Sequence, residues 1–140
     1  MKKASIVIAL LIVAGVTVCV STAEASRKSL SQEPQKTETV VPLEGLDPVM
    51  LVQGKEVMGK EEFSVTRGRF QYWFANAANK AKFEKEPAQY EIQMGGSCPV
   101  VPSATGNPDL YLVYKGHIYI FATSGCVEEF KASPDNFVKP

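Results

Sequence analysis

Histidine, tryptophan and cysteine are scarce in this 140-residue chain, which has one, one and three of them, and neither sign of charge is in excess. Three cysteines are too few for a disulfide-dense scaffold. The 15 basic and 15 acidic residues cancel, so the chain lacks the basic field of a non-specific nucleic-acid binder, and we expect no nucleic-acid partner. No glycine-rich phosphate loop, Gly-x-Ser-x-Gly or His-Glu-x-x-His motif is present, and we expect no enzymatic activity.

The amino terminus has the three-part pattern of a secretory signal peptide. Two lysines precede an apolar run over residues 6–20, and Ala23-Glu24-Ala25 supplies the small residues of a cleavage site. The run is shorter than the roughly 20 residues that span a bilayer as a helix, so we predict a signal peptide over residues 1–25 and no membrane span after its cleavage. An uncleaved anchor is one alternative, and lipidation of Cys19 is another, disfavoured by the preceding Val18.

The next residues, 26–39, are mostly Ser, Gln, Glu, Lys and Thr, a composition that buries too little surface to fold. We therefore predict a flexible linker there and a folded region that begins near Val40. The predicted export places the mature chain in the periplasm or outside the cell. Its two remaining cysteines, Cys98 and Cys126, would then lie in an oxidising compartment.

The folded region repeats itself at an offset of 47 residues, which indicates one structural motif written twice. The matching pairs are aromatic and proline positions: Phe74 and Phe121, Phe83 and Phe130, Pro87 and Pro134, Tyr72 and Tyr119, and Tyr90 and Phe137. In both copies an alternating apolar run, a glycine turn and an aromatic run predict a β-hairpin. A capping residue then predicts a short helix, over residues 77–86 and 125–132.

The fold class predicted is small α+β, with antiparallel hairpins each followed by a short helix. A further hairpin is predicted upstream, because residues 49–52 and 56–58 flank Gln53-Gly54-Lys55.

The first copy resembles a YHS domain. The resemblance rests on Asp47-Pro48-Val49-Met50, on the aromatic strand that ends at Asn76, and on Asn79, Phe83, Pro87 and Tyr90. It implies a small, treble-clef-like module associated with a metal ion. On this reading residues 40–98 form a YHS-like domain, and residues 99–140 form a second, degenerate YHS-like unit packed on the first.

The chain departs from the metal-binding pattern of that family, whose metal-holding members carry three cysteines. Their positions are occupied here by Met50, Ala75 and Asn79 in the first copy, whereas the second copy has Ala122 and retains Cys126. A closed zinc site needs four Cys or His ligands. The mature chain offers Cys98, Cys126 and His117 alone, so a four-ligand zinc site is not expected.

Three interpretations of the two cysteines remain open. The first is a disulfide between Cys98 and Cys126, which would contribute about 3–4 kcal/mol on the chain-entropy argument. The second is a soft-metal site, with copper or zinc the possible cofactor, formed by Cys98, Cys126, Met50 and His117, with Met58 and Met94 as further thioethers. The third is a redox-active thiol pair, since Cys126 begins a predicted helix.

The aromatic residues Tyr72, Trp73, Phe74, Tyr119 and Phe121 are expected to form the core or a ligand-binding surface. Together these features predict an exported YHS-type binding module of the cell envelope, whose partner is a metal ion, a small ligand or an envelope protein. The alternatives are a structural or protein-interaction domain that has lost metal binding, and a thiol redox accessory protein.

Overall fold

The computed structural model describes residues 38–138. The predicted signal peptide, Cys19 and most of the predicted linker lie outside the described residues. Two antiparallel two-stranded sheets, each followed by a helix, form the folded region, which confirms the predicted α+β class and its two hairpin–helix pairs. Within residues 38–138 no helix has the length and apolarity needed to cross a membrane.

The first hairpin–helix segment (residues 43–90) contains three helices and one hairpin. In chain order they are α1 (Pro48–Val52), β1 (Lys60–Arg67), β2 (Phe70–Phe74), α2 (Ala77–Lys85) and α3 (Pro87–Tyr90). The side chain of Asn76 accepts a hydrogen bond from the Asn79 amide at 2.9 Å and so begins α2.

The prediction of a hairpin upstream is wrong, because residues 48–52 form the helix α1 instead. Asp47 caps this helix through the amides of Val49 and Met50, and Pro48 occupies the first helical position, where its missing N–H costs nothing. A short apolar run does not by itself distinguish a buried strand from a buried helix. Here the Asp47 cap favours the helix.

The second hairpin–helix segment (residues 94–137) repeats the hairpin and the helix that follows it at an offset of 47 residues. Its elements are β3 (Asn107–Tyr114), β4 (His117–Phe121) and α4 (Ser124–Ala132). The register also repeats: the pairing shifts between Lys60 and Ser64 in β1, and 47 residues later between Asn107 and Tyr111 in β3.

Each segment begins with three consecutive residues in the left-handed backbone region. Leu43, Glu44 and Gly45 have φ of 62°, 54° and 81°, and the triplet from Met94 to Gly96 has φ of 55°, 62° and 85°. L-residues other than glycine rarely adopt this conformation. These two triplets lie 51 residues apart, so the first segment is four residues longer than the second between its triplet and its hairpin.

Two clusters of buried side chains form the core. The first collects apolar residues of α1, β2 and α2, together with Ile118 and Ile120 of β4. The second contains Cys98, Phe121, Cys126, Phe130 and Val138. Because successive residues of a strand face opposite sides, β4 contributes Ile118 and Ile120 to one cluster and Phe121 to the other.

Candidate functional site

The two cysteines of the folded region lie together in the second core cluster, as free thiols. Cys98 has no exposed surface, and Cys126 is 9% exposed. The disulfide between them, one of the three interpretations of the sequence, is not formed in the structure, although both side chains lie in the same buried cluster.

Cys98 is held at the start of a turn. Its amide donates to the carbonyl of Ala104 at 3.0 Å, and the preceding Ser97 forms a β-bridge with Thr105. These contacts fix the backbone so that the Cys98 side chain points into the protein rather than into solvent.

Four groups that can donate hydrogen bonds face the Cys98 thiol, namely the backbone amides of Val100, Val101 and Ala122 and the Cys126 side chain. Burial by itself raises the pKa of the Cys98 thiol, but these hydrogen bonds lower it by more than burial raises it, so the pKa lies below its ordinary value. We call this arrangement the Cys98 cradle. It stabilises a thiolate.

Cys126 lies in the first turn of α4. Its amide donates to the Thr123 hydroxyl oxygen at 3.3 Å, and that hydroxyl donates to the Cys126 sulfur, also at 3.3 Å. Thr123 is therefore both the helix cap and a donor to the second thiol.

A carboxylate occupies the corresponding position in the first segment. Asp47 is fully buried, and its two oxygens accept hydrogen bonds from four donors, which are the amides of Val49 (2.8 Å), Met50 (3.2 Å) and Ala75 (2.8 Å) and the side-chain nitrogen of Asn79 (2.7 Å). We call this arrangement the Asp47 cradle. All four of these groups donate, so both carboxyl oxygens act as hydrogen-bond acceptors.

The two cradles match donor for donor. In each, the side chain at the centre precedes a proline. It faces the amides two and three residues further on, an alanine amide after the second strand, and the side chain four residues beyond that alanine. The backbone support matches as well, since the Asp47 amide donates to the Val57 carbonyl at 2.8 Å and the Cys98 amide donates to Ala104.

Met50 and His117 are not brought to the cysteines. Met50 belongs to the Asp47 cradle and does not pack against the second core cluster. His117 begins β4 opposite Tyr114, half-buried, and its Nδ1 atom has no hydrogen-bond partner among the described residues. Within residues 38–138 no three His, Cys, Asp or Glu side chains form a group that would hold a metal ion.

The other two methionines among residues 38–138 are separate surface residues. Met58 is 59% exposed and Met94 is 43% exposed. They neither fill the core nor approach the thiol pair as additional sulfur ligands.

The five predicted aromatic residues divide between core and partial exposure. Tyr72, Phe74 and Phe121 are buried, whereas Trp73 and Tyr119 are half-buried. The Tyr72 hydroxyl oxygen accepts a hydrogen bond from the Ile92 amide at 3.0 Å, and burial raises the pKa of Tyr72 to about 12. Most of this set therefore packs the core, and it does not form one continuous ligand surface.

The sequence analysis placed Asp47 in the motif of the YHS resemblance but did not predict that its carboxyl group is fully buried and accepts hydrogen bonds from a distant strand and helix. The signal was present as two dipeptides, Asp47-Pro48 and Cys98-Pro99. They lie 51 residues apart, so an alignment at the fixed offset of 47 residues, which fits the hairpins and helices, does not superpose them.

Comparison with protein-family models, with curated proteins and with solved structures finds no match for this chain. The function must therefore be argued from the geometry of the two cradles.

Proposed function

We propose that this chain is a binding module whose centre is the Cys98–Cys126 thiol pair and whose ligand is a soft metal ion, with copper(I) as the first candidate. The observation that carries the proposal is that two free cysteines lie together in one buried cluster, and the backbone amides near Cys98 lower the pKa of its thiol. Thiolate rather than thiol is the form that ligates metals, and thiolates prefer soft ions such as copper(I).

The metal that the YHS resemblance implies does not fit as a closed zinc site. Such a site takes four Cys or His ligands. Of the family's ligand positions, Met50, Ala75, Asn79 and Ala122 offer neither a thiol nor an imidazole, and Cys126 alone is retained. Cys98 and Cys126 supply two sulfurs, which suits a soft ion of low coordination number better than zinc.

The proposal keeps the YHS relationship, with two treble-clef-like copies, and it keeps the exported location. The paired cradles support a duplicated module, and the lysines, apolar run and Ala-x-Ala pattern of residues 1–25 support export to the periplasm or beyond. A non-enzymatic role agrees with a centre that holds two thiols among apolar side chains.

Copper(I) titration of the reduced protein against a chromophoric chelator, without oxygen, tests this function. We expect one ion per chain, lost in both Cys98→Ser and Cys126→Ser. Met50→Leu and His117→Gln serve as matched controls, because neither side chain lies in the thiol cluster, and both should bind copper as the wild type does. Equal loss in these controls would place the metal elsewhere.

An absence of stoichiometric copper in the folded, reduced wild type would reject the proposal. It would favour instead the structural or protein-interaction domain that has lost metal binding. Zinc should dissociate during dialysis, since two sulfurs leave its coordination incomplete.

A further inference from the structure

The outer edge of β3 has no strand beside it among residues 38–138. In its two-stranded sheet β3 pairs with β4, and no isolated bridge within the described residues reaches its other side. The turn between the two strands has φ of 48° at Lys115 and 77° at Gly116, which is typical of a type I′ hairpin. In such a hairpin Tyr114 and His117 form a hydrogen-bonded pair, so Val113, at the next pair, directs its N–H and C=O away from β4.

A groove of about 720 Å³ follows this edge, and we call it the β3 edge groove. Five consecutive residues of β3, 109–113, line it, together with Leu51 and Val52 of α1 and Val127 of α4. Successive side chains of a strand point to opposite faces, so a groove that touches five in a row runs along the edge of the strand rather than along one face. Tyr111, two residues before Val113, also directs its N–H and C=O into this open edge.

The edge of β3 lacks the protection that the matching strand β1 has. The first three residues of β1, 60–62, are Lys, Glu and Glu, all exposed, and charged side chains of this kind discourage another strand from pairing. Residues 110–114 of β3 are an uncharged, mostly apolar run, in which Val113 is 37% exposed. An exposed apolar strand edge is a template for pairing with another extended chain.

Three carboxylates surround the β3 edge groove, those of Glu44, Glu56 and Asp109. All three residues are exposed, and none of them forms an ion pair within the part of the chain that the structure describes. Burial raises the pKa of Tyr111, and the charges of these three carboxylates raise it further, so they lie close to its hydroxyl. The cation in the lining, Lys131, pairs with a glutamate of its own helix at 3.0 Å. The groove is therefore complementary to a positively charged segment.

We propose that the β3 edge groove binds an extended, basic segment of a partner protein, which pairs with β3 as a third strand of its sheet. The outward N–H and C=O groups of Tyr111 and Val113 hydrogen-bond to the backbone of this segment, and its alternate apolar and basic side chains contact the apolar lining and the carboxylates. A second copy of this chain is a poorer occupant, because two copies would bring their carboxylates together. The groove requires neither the thiol pair nor a metal, so this inference goes beyond the proposed function.

Fluorescence anisotropy with a labelled heptapeptide, in which lysine and valine alternate, tests the proposal on the full chain. We expect saturable binding of one peptide per chain, which weakens as the salt concentration rises, and no binding of the peptide with glutamate in place of lysine. Val113→Pro removes one outward N–H but no hydrogen bond between β3 and β4. It should therefore keep the fold and bind the lysine–valine peptide at least about tenfold more weakly.

Thr66→Pro is the matched control, because Thr66 has the position in β1 that Val113 has in β3, 47 residues later. It should bind the peptide as the wild type does. Glu56→Lys reverses one charge of the groove and should weaken binding about threefold or more, whereas Glu84→Lys, on the exposed surface of α2, should not. If Val113→Pro does not fold by circular dichroism, the comparison of Glu56→Lys with Glu84→Lys decides.

Three results would overturn the proposal. The first is a lack of saturable binding of the lysine–valine peptide by the wild type. The second is equal binding by Val113→Pro and Thr66→Pro, or by Glu56→Lys and Glu84→Lys. The third is a wild-type dimer in sedimentation that Val113→Pro converts to a monomer, since a second copy would then cover the edge. Copper(I) binding at the thiol pair is measured separately, so failure of the two proposals is distinguishable.

Discussion

Replacing Asp47 by alanine should destabilise the folded region more than any loss of a surface carboxylate. The side chain is fully buried and accepts four hydrogen bonds of 2.7–3.2 Å. Each buried donor that loses its acceptor costs about 1–3 kcal/mol, and such costs are not strictly additive, so we expect a loss of about 4 kcal/mol or more. That is a large part of the about 5–15 kcal/mol by which a small domain is stable.

Asp47→Asn separates the two sides of the cradle. The oxygen of the asparagine can still accept the amides of Val49 and Met50, but its nitrogen then faces the donors of Ala75 and Asn79. We expect about half the loss seen in Asp47→Ala, or about 2 kcal/mol, because two of the four donors lose their acceptor.

Urea unfolding followed by circular dichroism measures both losses, and an unchanged m-value shows that the same surface is exposed on unfolding. Glu84→Ala is the matched control, since it removes an exposed carboxylate of α2 and should change the free energy of unfolding by less than about 0.5 kcal/mol. A loss of under about 1 kcal/mol in Asp47→Ala would refute the reasoning, as would an Asp47→Asn variant as stable as the wild type.

Three further predictions concern backbone fit and titration. Gly59→Ala places a Cβ 2.5 Å from the Trp73 carbonyl carbon and should lower the free energy of unfolding in urea by about 1–3 kcal/mol. In Gly125→Ala the nearest atom to the new Cβ is 3.6 Å away, so this variant should instead stabilise α4 by up to about 1 kcal/mol. A Gly125→Ala variant less stable than Gly59→Ala would contradict the packing. The Tyr72 pKa of about 12 exceeds its ordinary value of 10.0, so its contribution to stability is complete below pH 10.0 and is lost as the pH rises through about 12. In an ultraviolet titration the Tyr72 hydroxyl should be the last tyrosine to ionise. If the same late ionisation is still seen in Tyr72→Phe, the assignment is refuted. The lowered pKa of Cys98 contributes stability that is present above the thiol pKa of the unfolded chain and is lost as the pH falls through the thiol pKa of the folded chain. The melting temperature of the reduced protein should therefore fall over this pH range. The same fall in Cys98→Ala would contradict the role given to the Cys98 cradle.

Local patterns in the sequence predicted the hairpins and helices because short-range chemistry determines them. Alternating aromatic residues around a glycine turn predict a hairpin wherever they occur. Asn76 and Thr123 begin helices because their side chains cap the next amides, and both caps are present. The helix predicted over residues 77–86 spans Ala77–Lys85, and the one predicted over 125–132 spans Ser124–Ala132.

The segment around Asp47 was harder to predict because its conformation depends on distant partners. Its oxygens accept from Val49 and Met50 nearby, but also from Ala75 and Asn79 about thirty residues later. An apolar run of four residues carries no periodic signal that separates a strand from a helix, so the predicted hairpin over residues 49–58 was wrong.

From its sequence alone the chain already specified two hairpins, two capped helices and the pairing partners available to each thiol, since these depend on residue type and spacing over short distances. Tertiary structure decided which side chains share a cradle: it set Cys98 opposite Cys126, matched that pair to Asp47 and Asn79, and left Met50 and His117 apart. The physical reason is that a buried anion needs donors from several elements at once, and only the folded chain brings those donors together.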